Sequence, residues 1–151
     1  MAAFAQITAP RETDRKDGIH IGFKMAAAKI IKGGFVQSIA GYANYLTDTS
    51  DGPFLGVAIE TVDNSGGAAG DKVIRVDTTG CHLMKGAGLA QADVGKKVWC
   101  NVINDKDNAT IAVADPGAKQ TIVGRISEVL SATLCYVRID GYAMVEQAEN
   151  A

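Results

Sequence analysis

LGVAIETVDNSGGAAGDKVIRVDT, residues Leu55 to Thr78, sets two strand-like runs on either side of a loop made almost entirely of small residues. Leu55, Val57 and Ile59 recur at period two, which predicts one face of a strand. In the return run Val73, Arg75 and Asp77 alternate with Ile74, Val76 and Thr78. Between them Asp63 to Asp71 is dense in turn formers, so the stretch predicts a hairpin-like pair of strands around a contact loop. A phosphate-binding loop needs Gly-Lys-Ser/Thr feeding a helix. Here Asp71 separates Gly70 from Lys72 and a strand follows, so the loop reads as architecture rather than as a phosphate cradle.

Outward from this unit the chain continues as short strands. Toward the N-terminus, Tyr42 to Thr47, Phe35 to Ala40 and Ile19 to Phe23 are strand candidates. Met25 to Ile31, MAAAKII, suits a helical turn by propensity or a strand by context, and Gly33-Gly34 stops it. Toward the C-terminus, Cys81 to Lys85 is a short apolar run, and Leu89 to Gly95 predicts one helical turn ended by Gly95. Lys96 to Ile103 and Thr110 to Ala114 predict a hairpin around the polar turn Asn104 to Asn108. Thr121 to Leu130 is the longest strand candidate, with Gly124 marking a bulge. In the last strand Cys135, Val137 and Ile139 alternate with Tyr136, Arg138 and Asp140. Many short strands at roughly ten-residue spacing, without a long helix, predict an all-β domain: a small β-barrel or β-sandwich over residues 19–145. Residues 1–18 are polar with balanced charges and predict an extended N-terminal arm; residues 146–151 predict a flexible tail. Phe4 and Ile7 are the apolar anchors of the arm, and Arg11, Arg15 and Lys16 its cations; these five are the residues the arm offers a partner.

With 151 residues, 47% apolar and 21% charged, the chain is long enough for one core without metals or disulfides. A net charge of −2 gives no electrostatic footprint for nucleic acid or an anionic membrane. No run approaches the 18 or more apolar residues of a membrane helix, and the N-terminus lacks a signal-peptide core. The odd count of Cys81, Cys100 and Cys135 predicts reduced, buried thiols in a reducing cytoplasm rather than a disulfide framework. Trp99 reads as a core anchor.

The catalytic inventory is thin. Cys81 and His82 are adjacent, so on a strand they point to opposite faces and do not converge on zinc. His20 and His82 are the only imidazoles available to an enzyme, and no serine lies in a nucleophile elbow. Asp105, Asp107 and Asn108 lack the spacing and terminal Glu of a calcium loop. The reading is of a non-enzyme with no cofactor and no metal. A ligand- or carbohydrate-binding β-barrel module is the alternative, with Trp99, Tyr42 and Tyr45 as stacking residues.

Four segments resemble the family of tailed-phage capsid decoration, or capsid cement, proteins. They are Lys32-Gly33-Gly34-Phe35-Val36 with Gly41-Tyr42; Leu55-Gly56-Val57-Ala58 leading to Val62 through Asp71; Gln91 to Lys96; and Val123-Gly124-Arg125-Ile126. The resemblance spans Ile30 to Ile139. It implies a compact β domain, a homotrimer seated on the outer capsid surface of the virion, with the major capsid protein and its own copies as partners. It implies synthesis in the host cytoplasm, stabilisation of the shell, and no catalytic residue, nucleic acid or membrane. In that setting Asn64, Ser65, Gly66, Gly67 and Asp71 are candidates for an inter-subunit loop. The arm and the cysteines are not part of the pattern.

Overall fold

The computed structural model describes residues 19–46, 52–100, 111–113 and 122–139. Twelve strands run through them in chain order: β1 (His20–Lys24), β2 (Lys29–Ile30), β3 (Phe35–Ile39), β4 (Tyr42–Tyr45), β5 (Phe54–Ala58), β6 (Val62–Asp63), β7 (Val73–Asp77), β8 (Gly80–Lys85), β9 (Lys97–Cys100), β10 (Ile111–Ala112), β11 (Ile122–Val129) and β12 (Leu134–Ile139). The only helical element among the described residues is one 3₁₀ turn, Gln91–Asp93.

The strands form three antiparallel sheets. The first has the order β1-β7-β5-β3-β4, the second β10-β9-β11-β12-β8, and a small one pairs β2 with β6. The two five-stranded sheets pack face to face as a sandwich. Phe35, Phe54 and Val57 of the first meet Met84, Val123, Ile126 and Val137 of the second in one apolar cluster. Phe35 and Phe54 touch edge to face, with ring centroids 5.8 Å apart. A second cluster lies on the other face of the first sheet, where Met25, Ile30, Val36, Leu55, Ile74 and Val76 come together. The first sheet curls far enough for Met25 to make one parallel bridge with Ala43 of β4, which stops short of a closed barrel. The sandwich expectation is therefore met and the barrel is not.

Two glycines let neighbouring backbones pass. A Cβ on Gly56 would lie 2.1 Å from the Asp77 carbonyl oxygen, and one on Gly124 would lie 2.2 Å from that of Arg138. Gly56 also has φ +146, a conformation that side chains resist. This residue overturns the expectation that Leu55, Val57 and Ile59 share a face. The register of β5 on β3 slips there, and Leu55 joins the second cluster while Val57 joins the first. Gly124 sits at the expected break in β11, where pairing with β9 shifts between Ile122 and Gly124.

Other expectations fare well. β9 and β10 pair antiparallel, with Ile111 opposite Cys100. Between β3 and β4, Ala40 (φ 51) and Gly41 (φ 89) make the two-residue turn of a tight hairpin. Gly95 ends the 3₁₀ turn segment at φ +90. The ambiguous run MAAAKII resolves as the bridge at Met25 and the strand β2. The expected pair of strands exists, because β5 and β7 are antiparallel neighbours with Ala58 opposite Val76. Their connection is not a simple hairpin loop, because β6 leaves it to pair with β2.

Candidate functional site

The loop from Asp63 to Lys72 leaves β6, crosses the chain at residues 25–28 and returns as β7. Asn64 pins it there. Its side chain is 1% exposed although its neighbours are open to solvent. The Asn64 backbone N–H donates to the Ala28 carbonyl at 3.0 Å, and Nδ2 donates to the carbonyls of Ala26 and Ala68, each at 3.0 Å. Asn64 Oδ1 is buried without a hydrogen-bond partner and faces Gly67. A Cβ at Gly67 would come within 2.4 Å of that oxygen and 3.1 Å of Asp71 Oδ2, so a side chain there would have to displace the Asn64 amide.

The acids of the loop tie up its backbone. Asp63 Oδ1 accepts from the Ser65 N–H at 2.9 Å and the Ser65 hydroxyl at 2.6 Å, a turn that Asp makes readily. Those two bonds, hydroxyl first, hold the Asp63 carboxyl below the usual carboxylate range, and the charges of Lys29 and Lys72 add to the effect. Asp71 Oδ2 accepts from the Ala68 N–H at 2.9 Å. Lys72 donates its ammonium to the Asp63 carbonyl at 2.7 Å. The Gly70 N–H donates to the Met25 carbonyl at 2.7 Å, and Tyr42 lies beside it. Residues 63–67, 71 and 72 line an open concavity of about 540 Å³.

The five residues named from sequence for this loop thus divide by role. Asn64 is internal, Asp71 is an exposed backbone acceptor, and Ser65, Gly66 and Gly67 are turned to solvent on a fixed scaffold. Close packing and outward presentation are both present, on different residues. Phe4, Ile7, Arg11, Arg15 and Lys16 lie outside the described residues, as does the turn with Asp105, Asp107 and Asn108.

The segment Gln91 to Lys96 is pinned in a similar way. Asp93 accepts from the Ala90 N–H at 2.9 Å and from the Lys96 ammonium at 3.0 Å, and these bonds, in that order, lower its pKa.

The remaining candidates are scattered. His20 is exposed on the edge strand β1. His82 Nε2 lies 3.2 Å from Asp77 Oδ2 and 3.4 Å from the Thr79 carbonyl, a clasp across the corner where the chain passes from the first sheet to the second. Among the described residues no group of three or more His, Cys, Asp or Glu is placed to hold a metal ion. No helix among them is long and apolar enough to cross a membrane. Trp99 is buried, as expected, with 7% exposure and Lys97 ammonium 5.7 Å from its ring centroid. It therefore offers no open stacking face, and it stands on a different sheet from Tyr42 and Tyr45. Cys100 and Cys135 are buried, and burial raises the pKa of the Cys135 thiol. Cys81 corrects the expectation of three buried thiols. It is exposed, because it sits on the outward side of edge strand β8 while Met84 turns inward.

Sequence reasoning missed the role of Asn64. The signal was a lone amide in a run of turn formers, with partners at Ala26 and Ala28 that no local pattern reveals. Comparison of the chain with family models, with curated proteins and with solved structures finds no match.

Proposed function

We propose that the chain is a non-enzymatic capsid decoration protein of a tailed phage. In this reading it stands as a homotrimer on the outer surface of the head, contacts the major capsid protein and stabilises the shell, with residues 1–18 lying along that surface. The observation that carries the reading is the loop after β6. The segment with the most specific resemblance is also fixed by Asn64, Asp63 and Asp71, and its small residues are displayed outward. A loop already ordered before contact loses little entropy on binding. Three such contacts on one trimer add through effective concentration, by roughly 10²–10⁴ over a single contact.

The test combines solution mass by light scattering with electron images of heads with and without the protein. A trimer mass and added density on the shell are expected. A monomer that fails to add to empty expanded heads would sink the reading. Removal of residues 1–18 is expected to weaken occupancy while leaving the β domain folded.

A further inference from the structure

Asn64 leaves one acceptor over. Its Nδ2 donates to the Ala26 and Ala68 carbonyls, which fixes the orientation of the amide and leaves Oδ1 as the atom without a partner. The residue is 1% exposed, and a buried acceptor left alone costs stability unless a water or an ion meets it. That oxygen points toward Gly67, which is itself open to solvent. The place a Gly67 Cβ would take lies 2.4 Å from Asn64 Oδ1 and 3.1 Å from Asp71 Oδ2, so an amide oxygen and a carboxylate oxygen border one gap. Asn64, Gly67 and Asp71 all line the open concavity of about 540 Å³, together with Asp63, Ser65 and Lys72.

The oxygens gathered there are hard donors. Asp63 accepts both Ser65 bonds on Oδ1, and Asp71 accepts the Ala68 N–H on Oδ2. Among the described residues the second oxygen of each acid has no hydrogen-bond partner. The Ser65 bonds hold the Asp63 carboxyl below the usual carboxylate range, so it is ionised at neutral pH. A water would serve the amide oxygen alone, whereas two carboxylates beside it favour a cation. Calcium takes about six to eight oxygens in irregular geometry and completes its shell with water, while magnesium asks for a near-ideal octahedron. We propose that this concavity binds a calcium ion. Asn64 Oδ1 and Asp71 are the direct ligands, Asp63 is the second carboxylate of the rim, and water fills the remaining positions. The Lys72 ammonium, held by the Asp63 carbonyl at 2.7 Å, competes for the same negative charge. Binding is therefore weak, with a dissociation constant on the order of 10⁻⁴–10⁻³ M. The site belongs to the isolated chain and stands whether or not the chain decorates a capsid.

The test titrates calcium chloride into the full chain at constant ionic strength, followed by amide NMR and by melting temperature. Saturable shifts of the Ser65 to Asp71 backbone amides and of the Asn64 side-chain amide are expected, with a higher melting temperature at saturation. That measurement needs no variant to fold. Asp71→Asn keeps an oxygen for the Ala68 N–H and is expected to weaken binding about tenfold or more. Asp93→Asn removes an equal charge from another turn and is expected to leave binding nearly unchanged. Lys72→Met removes the competing ammonium and is expected to tighten binding several-fold. No saturable shift below about 10 mM calcium overturns the site in favour of a bridging water. The same shifts when magnesium chloride replaces calcium chloride overturn it in favour of an adventitious ion only. Undiminished binding in Asp71→Asn, or equal loss in Asp93→Asn, puts the ion elsewhere and overturns it. Binding seen only in Lys72→Met makes the ammonium the loop's own cation and overturns the site in the unaltered chain.

Discussion

The two five-stranded sheets are built from similar strands but live in different surroundings. In the first, β5 is enclosed on both sides: all five of its residues are buried, with Phe54 and Val57 in one cluster and Leu55 and Ala58 in the other. The second holds a strand of the other kind. In β12 Cys135, Val137 and Ile139 are buried while Arg138 is exposed. A strand buried on both sides has no tolerant positions, whereas a strand buried on one side has a free one at every second residue. The exposed side of β12 can change its residues without cost to the core.

The sharpest break of this comparison comes from the paired glycines. Each meets a neighbouring carbonyl at almost the same distance, but Gly56 alone has a positive φ. Gly56→Ala is expected to destabilise by about 3 kcal/mol or more, and Gly124→Ala by less. Chemical denaturation of both measures this, and an equal or larger cost at Gly124 would refute the added role of backbone conformation. Next come the leucines. Leu55→Ala in β5 is expected to cost about 2–5 kcal/mol, whereas Leu83→Ala on the open face stays within about 0.5 kcal/mol. Similar losses at both positions would mean that β8 is covered on both sides after all.

Smaller effects probe the pinned loops. Asn64→Ala removes two donors from the Ala26 and Ala68 carbonyls and is expected to cost about 1–3 kcal/mol in urea unfolding, a loss that Ser65→Ala does not match. The least effect concerns acid. The pKa of Asp93 is lowered by folding from 3.8, so its bonds stabilise the fold above that pH and are lost as pH falls through the lower folded value. Melting curves of the unaltered chain and Asp93→Asn are expected to differ by a constant small amount at neutral pH and to converge in strong acid. A gap that widens on acidification contradicts the assignment.

Legibility in the sequence followed the same division. The alternation of β12 was readable because water lies on one side of it, which imposes period two on the side chains. The same period misled at Leu55, because Gly56 turns the strand over and both sides are buried, so no polar residue marks the change. MAAAKII was ambiguous because alanine favours helix locally, and tertiary pairing with β6 decided for strand at Lys29–Ile30. In the loop, Gly67 and Asp71 were recognisable as turn chemistry. That Asn64 would be the buried residue among them was not, since its partners lie in another part of the chain.

The pairing of β1 with β7 also sets an order of events in time. β3 with β4, and β11 with β12, close over short turns and need little search. β1 must return to β7 across residues 25–72, setting His20 against Asp77, and longer closures are slower. Until it arrives, β7 waits as a bare edge with Arg75 and Val76 unprotected on that side. Pulsed hydrogen exchange is expected to protect the β3–β4 amides before those shared by β1 and β7, and simultaneous protection would contradict this. During that interval the first strand of another copy fits the same edge, so crowded synthesis favours strand exchange between chains.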